Sequence, residues 1–95
     1  MLSYGLVVHG GVGSPMAWKD GCEKAVALGL DRLRGGQGAL EAAIAAATSL
    51  ENDGRYNAGS GSSLRLDGRT IEMDASVMDS RGAIGCVAAI RRVKN

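Results

Sequence analysis

An asparagine in a polar loop rich in glycine is the side chain of this sequence best suited to chemistry. Residues 50–61 read LENDGRYNAGSG, in which Asn57 lies between an aromatic residue and a small pair. A carboxamide both donates and accepts hydrogen bonds, which suits the positioning of a nucleophile or a substrate carbonyl. An asparagine that only stabilises its own turn explains the residue equally well when it is considered alone. A phosphate loop is disfavoured, because the pattern after Gly61 is that of a strand and not of a helix.

The only histidine, His9, forms a second candidate site together with Gly10 and Gly11. The two glycines permit close backbone approach or positive φ angles. The segment has neither the spacing of a dinucleotide fingerprint nor a P-loop lysine, so a phosphate cradle is weakly supported. No serine or cysteine stands in a recognisable nucleophile setting, and no further metal-ligating residues cluster near His9. We therefore do not assign a direct catalytic role to His9, and the two glycines are the more informative part of this segment.

Two carboxylates, Glu72 and Asp74, share one face of a predicted strand by its two-residue period. Such a pair indicates acid–base chemistry or a metal site. A third carboxylate, Asp79, lies near the following turn. More often these residues are solvated or accept hydrogen bonds at turns, and we favour that interpretation.

The elements that must position these groups alternate between strand and helix patterns. A short apolar run at residues 4–8 predicts a buried strand that leads into the glycine loop. Helical spacing of apolar residues follows at 18–33 and again at 39–50. Strand patterns at 62–66 and 70–77 flank Asp67-Gly68, a strong hairpin signal, and residues 83–93 form the last strand. The predicted order is strand, helix, helix and three antiparallel strands, which is an α/β fold of the α+β type.

The last predicted strand is apolar on both alternating faces over residues 83–90. A strand of this kind must be covered on two sides. Two helices can cover only one face of the sheet, so we expect another polypeptide segment to cover the other. We therefore assign residues 1–95 to a single partial domain.

Size and composition exclude several classes of protein. A chain of 95 residues corresponds to one domain or a part of one. Its net charge of +1 gives no support for a nucleic-acid or acidic-membrane partner. Cys22 and Cys86 have no zinc spacing; we expect buried thiols in a reducing compartment, and a single disulfide remains open. Without a signal-peptide pattern or a membrane-spanning run, a cytoplasmic protein is expected.

Five segments in order resemble one enzyme family, and together they cover nearly the whole chain. They are VVHGGVG at 7–13, LEND at 50–53, YNAGSG at 56–61, LDG at 66–68 and MDASVMD at 73–79. The chain resembles the N-terminal part of the α portion of the plant-type (type 2) L-asparaginase/isoaspartyl peptidase family of N-terminal-nucleophile hydrolases. Tyr56 stands where the family usually has phenylalanine, and Gly54 where proline is common.

The resemblance implies an αββα sandwich and an enzyme that is made by autoproteolysis. The precursor cuts itself before a threonine, whose hydroxyl becomes the nucleophile and whose amine serves as base. Substrates are L-asparagine and isoaspartyl dipeptides, and the working unit is a dimer of α/β pairs, a heterotetramer. By position, Asn57 matches the asparagine that orients the threonine, and His9-Gly10-Gly11 matches the glycine loop beside it. The threonine lies beyond this sequence, so we expect the chain alone to be inactive.

The resemblance also implies a structural sodium ion and no organic cofactor. Hard cations prefer oxygen ligands, and here the family's ligands correspond to backbone carbonyls in the loop before and after Asn57: those of Leu50, Glu51, Asp53, Tyr56, Ala58 and Ser60. The ion would stiffen the loop that aims Asn57.

Two other hypotheses belong to different classes of protein. One is a non-catalytic fragment or regulatory subunit that pairs with a related enzyme. The other is a small ligand-binding α/β module that uses the two glycine loops.

Overall fold

Two helices and a β-hairpin make up the regular structure of residues 3–95, which are the residues that the computed structural model describes. The helices are α1 (Lys19–Arg34) and α2 (Ala39–Asp53), and the strands are β1 (Met73–Met78) and β2 (Ile84–Ile90). Short 3₁₀ turns occur at Met16–Trp18 and Gly59–Gly61. The α+β class is confirmed. Residues 1 and 2 of the predicted domain lie outside the described residues.

Both predicted helices are present, and each runs slightly further than its apolar pattern. α1 ends one residue after the predicted boundary, and α2 continues for three residues beyond residue 50. Gly54 ends α2 with a φ angle of 84°, in the left-handed region where glycine is favoured. The acidic and polar residues at the end of α2 are therefore helical, and the loop that holds Asn57 begins later than predicted.

Small residues form the contact between α1 and α2. A Cβ atom at Gly29 would lie 3.1 Å from the backbone oxygen of Ala42 and 3.5 Å from the Cβ atom of Ala46. The glycines of α1 and the alanines of α2 have small side chains, and these allow the two helices to pack closely. The buried residues of the two helices are Gly21, Ala25, Gly29, Ala42 and Ala46.

The strand predicted at residues 4–8 is not formed. The segment is extended beside α1, and Leu6 packs against Gly29 while Val7 is fully exposed. Half-buried and exposed residues alternate as they do along a strand. A strand needs a hydrogen-bonded neighbour, and residues 3–95 provide none beside this segment.

The strand predicted at residues 62–66 is also not formed, although its turn is. The Arg65 N–H donates to the carbonyl of Thr70 at 2.8 Å, and Gly68 has a φ angle of 71°. The Asp67-Gly68 signal therefore gives a closed loop, but no strand ladder forms between the flanking segments. The described sheet has two strands where the sequence predicts four.

β1 and β2 pair antiparallel, with an irregularity near one end. Met78 faces Ile84 and Ala75 faces Val87, but Met73 faces Ile90, which leaves one extra residue in β2. The carboxylate of Asp74 accepts a hydrogen bond from the Ala89 N–H at 2.8 Å and so replaces the missing ladder bond. This is a β-bulge held by a side chain.

The sheet is open to solvent on both faces within the described structure. Val87 is 48% exposed and Ile84 is 67% exposed. Leu40 of α2 and the turn end of the hairpin line a hollow of about 230 Å³, so this helix does not cover the sheet. Cys86 is consequently an exposed free thiol, so the expectation that both thiols are buried is wrong for Cys86. Cys22 is free and half-buried.

Within residues 3–95, neither helix has the length and hydropathy required to cross a lipid bilayer.

Candidate functional site

The site begins where α2 ends. The last four carbonyls of a helix lack helical N–H partners, and in α2 these belong to residues 50–53. Gly54 then reverses the chain, and residues 55–61 run back past the helix end to the 3₁₀ turn Gly59–Gly61. The loop therefore places several backbone oxygens beside the negative end of the α2 dipole.

Tyr56 anchors this loop in the interior. It is 2% exposed, and its hydroxyl donates to the carbonyl of Trp18. The Trp18 and Tyr56 rings meet edge to face, with centroids 5.9 Å apart. Burial, together with a hydrogen bond to the Cys22 thiol, raises the pKa of the Tyr56 hydroxyl, so it is protonated at neutral pH.

Two glycines leave room for the Tyr56 side chain. A Cβ atom at Gly10 would lie 2.9 Å from the Tyr56 ring, and one at Gly21 would lie 2.5 Å from its hydroxyl. The predicted glycine loop and the Asn57 loop are thus brought together through Tyr56. Sequence patterns gave no sign that Gly21, inside a helix, is part of this contact.

Asn57 lies on the exposed side of the loop, directly after this anchor. Its Oδ1 accepts a hydrogen bond from the Ser63 N–H at 2.9 Å, which closes the turn. Its Nδ2 group has no acceptor among residues 3–95. The side chain borders an open cavity of about 300 Å³, whose other walls include Glu51, Glu72 and Asp74. The turn-stabilising function is thus present, and the donor half of the amide remains available for another group.

The segment His9-Gly10-Gly11 has a fixed shape but does not border the Asn57 cavity. The Gly11 N–H donates to Nδ1 of His9 at 2.9 Å, and the Ser14 hydroxyl donates to the Gly10 carbonyl at 2.6 Å. Gly11 has a φ angle of 94°, which explains the glycine at this position. His9 is exposed, and within residues 3–95 it makes no contact with Asn57. Its use in a site remains a prediction.

Two of the predicted cation ligands, the carbonyl groups of Glu51 and Tyr56, lie close to glycines of the loop. A Cβ atom at Gly59 would lie 2.8 Å from the carbonyl oxygen of Glu51, and one at Gly61 would lie 2.6 Å from that of Gly54 and closer still to that of Tyr56. Glycines at 59 and 61 are thus needed for these oxygens to approach.

The donor chemistry of this loop fits a hard cation. The Tyr56 carbonyl accepts from the Ala58 N–H at 2.8 Å, and the Ala58 carbonyl accepts from the Gly61 N–H at 3.0 Å. A carbonyl oxygen has two lone pairs, so each retains one for an ion. No group of three or more metal-ligating side chains occurs in the described part of the chain. A sodium ion here would be held by the backbone oxygens of residues 50, 51, 53, 56, 58 and 60.

An arginine next to Tyr56 was not recognised in the sequence as a candidate. The guanidinium of Arg55 donates from Nε to Oδ1 of Asp53 at 2.7 Å and from Nη1 to Oδ1 of Asp20 at 2.9 Å. These hydrogen bonds lower the pKa of both carboxyl groups and raise that of Arg55. The only sequence signal was an arginine placed two residues after an aspartate, which is too common to be used.

The carboxylates of the hairpin have structural partners. Glu72 forms ion pairs with Arg91 and, at 3.7 Å, with Arg65. Asp79 accepts hydrogen bonds from the N–H groups of Arg81 and Ala83 and so closes the turn between the strands. The interpretation as a turn acceptor is confirmed for Asp79, whereas Glu72 forms ion pairs that were not predicted.

Comparison with known proteins places this chain in a family of asparaginases. Residues 3–95 match a family model described as Asparaginase. A relative from Macaca fascicularis named isoaspartyl peptidase/L-asparaginase is 41% identical over 98 residues, which is 95% of this chain and 31% of that protein. The protein of the same name from Rattus norvegicus is 42% identical over 95% of this chain and 29% of its own length. A plant-type L-asparaginase from Pyrobaculum calidifontis is 43% identical over 95% of this chain and 32% of its own length. The chain spans about a third of the length of the curated relatives it matches.

Proposed function

We propose, from the premise that the chain belongs to the asparaginase family, that it forms the N-terminal portion of an amidohydrolase acting on L-asparagine or isoaspartyl dipeptides. Relatives that carry both activities in their names match it at about 40% identity. The structural observation that supports the proposal is the free Nδ2 group of Asn57 on a loop fixed by the buried Tyr56.

In the proposed reaction the nucleophile is a threonine hydroxyl carried by polypeptide outside residues 1–95. Its oxygen attacks the carbonyl carbon of the substrate amide, the amine leaves, and water then hydrolyses the acyl-enzyme ester. The free amino group of the same threonine takes up the hydroxyl proton and passes it to the leaving nitrogen, which departs as ammonia or as the free amino acid. Asn57 donates a hydrogen bond from Nδ2 to the threonine oxygen and thereby holds it in the attacking orientation.

The open hairpin supports the view that further polypeptide completes the fold. Apolar side chains of both strands are exposed, including Val77, Met78 and Ile84. We propose that the remaining α and β portions of the enzyme cover them in an αββα sandwich, with two α/β pairs in the working unit. The same exposure argues against a self-contained ligand-binding module.

The activity is tested with the whole translated protein that contains this chain. Release of ammonia from L-asparagine and of the free amino acid from a β-aspartyl dipeptide is measured for the wild type, Asn57→Ala and Asn52→Ala. Loss of a positioned donor at the reacting atoms lowers kcat by about 100-fold or more. Asn52 is the matched control, because the one hydrogen bond of its amide within residues 3–95 is accepted from Asn95. Absence of hydrolysis by the wild type, or equal rates for the two variants, would contradict the proposal.

We also propose that the loop binds sodium. A ligand that binds only the folded state raises the unfolding temperature. The midpoint of thermal unfolding is therefore expected to fall when NaCl is replaced by tetramethylammonium chloride at equal ionic strength. An unchanged midpoint would remove the ion from the proposal and leave the hydrolase assignment intact.

A further inference from the structure

Arg55 makes an ion pair of a different kind from the other charged contacts of the helical region. The pairs Lys19–Glu23 and Arg34–Asp31 join neighbours on one helix, and their side chains are more than 60% exposed. Pairs of this kind contribute little to stability. The Arg55 side chain is 35% exposed and contacts Asp20, which lies 35 positions earlier in the sequence and is itself 69% exposed. The pair has two parallel N–H···O contacts of 2.9 Å.

The Arg55 guanidinium also binds the last turn of α2. Its Nε and Nη2 atoms lie 2.7 Å and 2.9 Å from the two oxygens of Asp53, whose side chain is only 15% exposed. One planar group thus holds a carboxylate on each of two elements, the first turn of α1 and the last turn of α2. A planar fork paired with two carboxylates has a fixed geometry that a lysine ammonium does not reproduce.

Tyr56 links the Arg55 contacts to the candidate site. Tyr56 follows Arg55 directly and docks its hydroxyl on the Trp18 carbonyl, next to the start of α1. The guanidinium carbon lies 5.9 Å from the centre of the Tyr56 ring. Two successive residues therefore attach the chain to α1 immediately before Asn57, so the direction in which Asn57 leaves the helix pair depends on both.

We propose that Arg55 is a positioning residue, which fixes the Asn57 amide by clamping the start of its loop to the first turn of α1 and the last turn of α2. The kinetic consequence rests on the proposed function; the ordering of the loop does not.

The first experiment measures loop order without activity. Hydrogen–deuterium exchange is followed in the whole protein for the peptide that contains residues 58–63, where four N–H groups donate hydrogen bonds. Arg55→Gln and Asp20→Asn are each expected to speed exchange by about tenfold. Arg34→Gln, which breaks an exposed pair away from the loop, is the matched control. Equal exchange in Arg55→Gln and Arg34→Gln would overturn the clamp.

The second experiment asks whether the clamp acts through Asn57. At a temperature where all variants are folded, Arg55→Gln is expected to lower kcat by about tenfold with KM changed less than about twofold, and Arg55→Lys to recover part of the loss. In the Asn57→Ala background, Arg55→Gln is expected to have no further effect. An equal loss in both backgrounds, or an unchanged kcat in Arg55→Gln, would overturn the positioning role. An inactive wild type would instead overturn the proposed function, and the exchange measurement would still decide whether Arg55 orders the loop.

Discussion

The helix pair with its loop and the β-hairpin are stabilised in different ways. The helices bury alanine and glycine against each other, and the loop that follows α2 is fixed by Tyr56 and Arg55. The hairpin has its ladder, its bulge and its turn, but its apolar side chains remain in solvent. The part of the chain that presents Asn57 is thus ordered by its own contacts, whereas the apolar side chains of the sheet have no cover among residues 3–95.

Val87→Lys tests this contrast most strongly. If the remainder of the proposed sandwich covers β2, the variant buries an unpaired ammonium and destabilises the whole protein by about 4 kcal/mol or more. Ser80→Lys adds the same charge at the tip of the hairpin and is expected to be nearly neutral. Denaturant unfolding of both variants provides the measurement. Equal midpoints would show that this face of the sheet stays in water.

Glycine substitutions compare the two regions directly. In Gly61→Ala the new methyl group meets the backbone of Gly54 and Tyr56, which cannot move without disturbing the loop. We expect a loss of about 1–3 kcal/mol in the free energy of unfolding. In Gly85→Ala the new methyl group meets only Val77, at 3.8 Å. Chemical denaturation of the pair should rank them in this order, and the reverse order would mean that the hairpin is the more tightly packed region.

The two tyrosines give a smaller test of the same difference. Tyr56→Phe keeps the buried ring but leaves the Trp18 carbonyl without its donor, at a cost of about 1 kcal/mol. Tyr4→Phe changes a side chain that is 53% exposed and is expected to have no measurable effect. Thermal unfolding of both variants decides the matter, and equal midpoints would mean that the Tyr56 hydroxyl does not contribute.

Acid is expected to destabilise the Asp67-Gly68 turn only slightly. Hydrogen bonds from the hydroxyl and N–H of Thr70 and from the N–H of Arg69 lower the pKa of Asp67 from 3.8 to about 2. Because the folded value lies below the unfolded one, this contribution is complete above about pH 4 and is lost as the pH falls towards 2. Titration of the Asp67 carboxyl carbon by NMR should give a midpoint near the lower value. A midpoint near 4 would indicate that the turn is open.

How far the sequence predicted the structure depended on the range of the interactions involved. Helical periodicity at residues 18–33 and 39–50 and the Asp67-Gly68 turn are local, and each was found in the structure. The strands predicted at 4–8 and 62–66 require neighbours, and within residues 3–95 no partner pairs with them. Their apolar patterns indicate the local conformation of a strand, but they do not indicate which segment would pair with it.

The candidate site was predictable as a loop but not as a set of contacts. Asn57 was identified from its setting between helix and strand patterns, and the resemblance to the asparaginase family supplied its proposed role. Arg55, Asp20 and Gly21 were missed, because contacts between residues more than 30 positions apart leave no signal in one sequence. Charge and glycine at these positions have common local explanations, which hide their long-range partners.

The edge-to-face contact of Trp18 with Tyr56 also makes the fluorescence of Trp18 a probe of the loop. Trp18 is the only tryptophan of residues 1–95, and it lies beside the tyrosine that precedes Asn57. Indole emission responds to the polarity of its surroundings, so undocking of Tyr56 would admit water and shift the spectrum to longer wavelengths. Fluorescence of this one indole would therefore follow the loop in real time, without a label attached near the reacting groups.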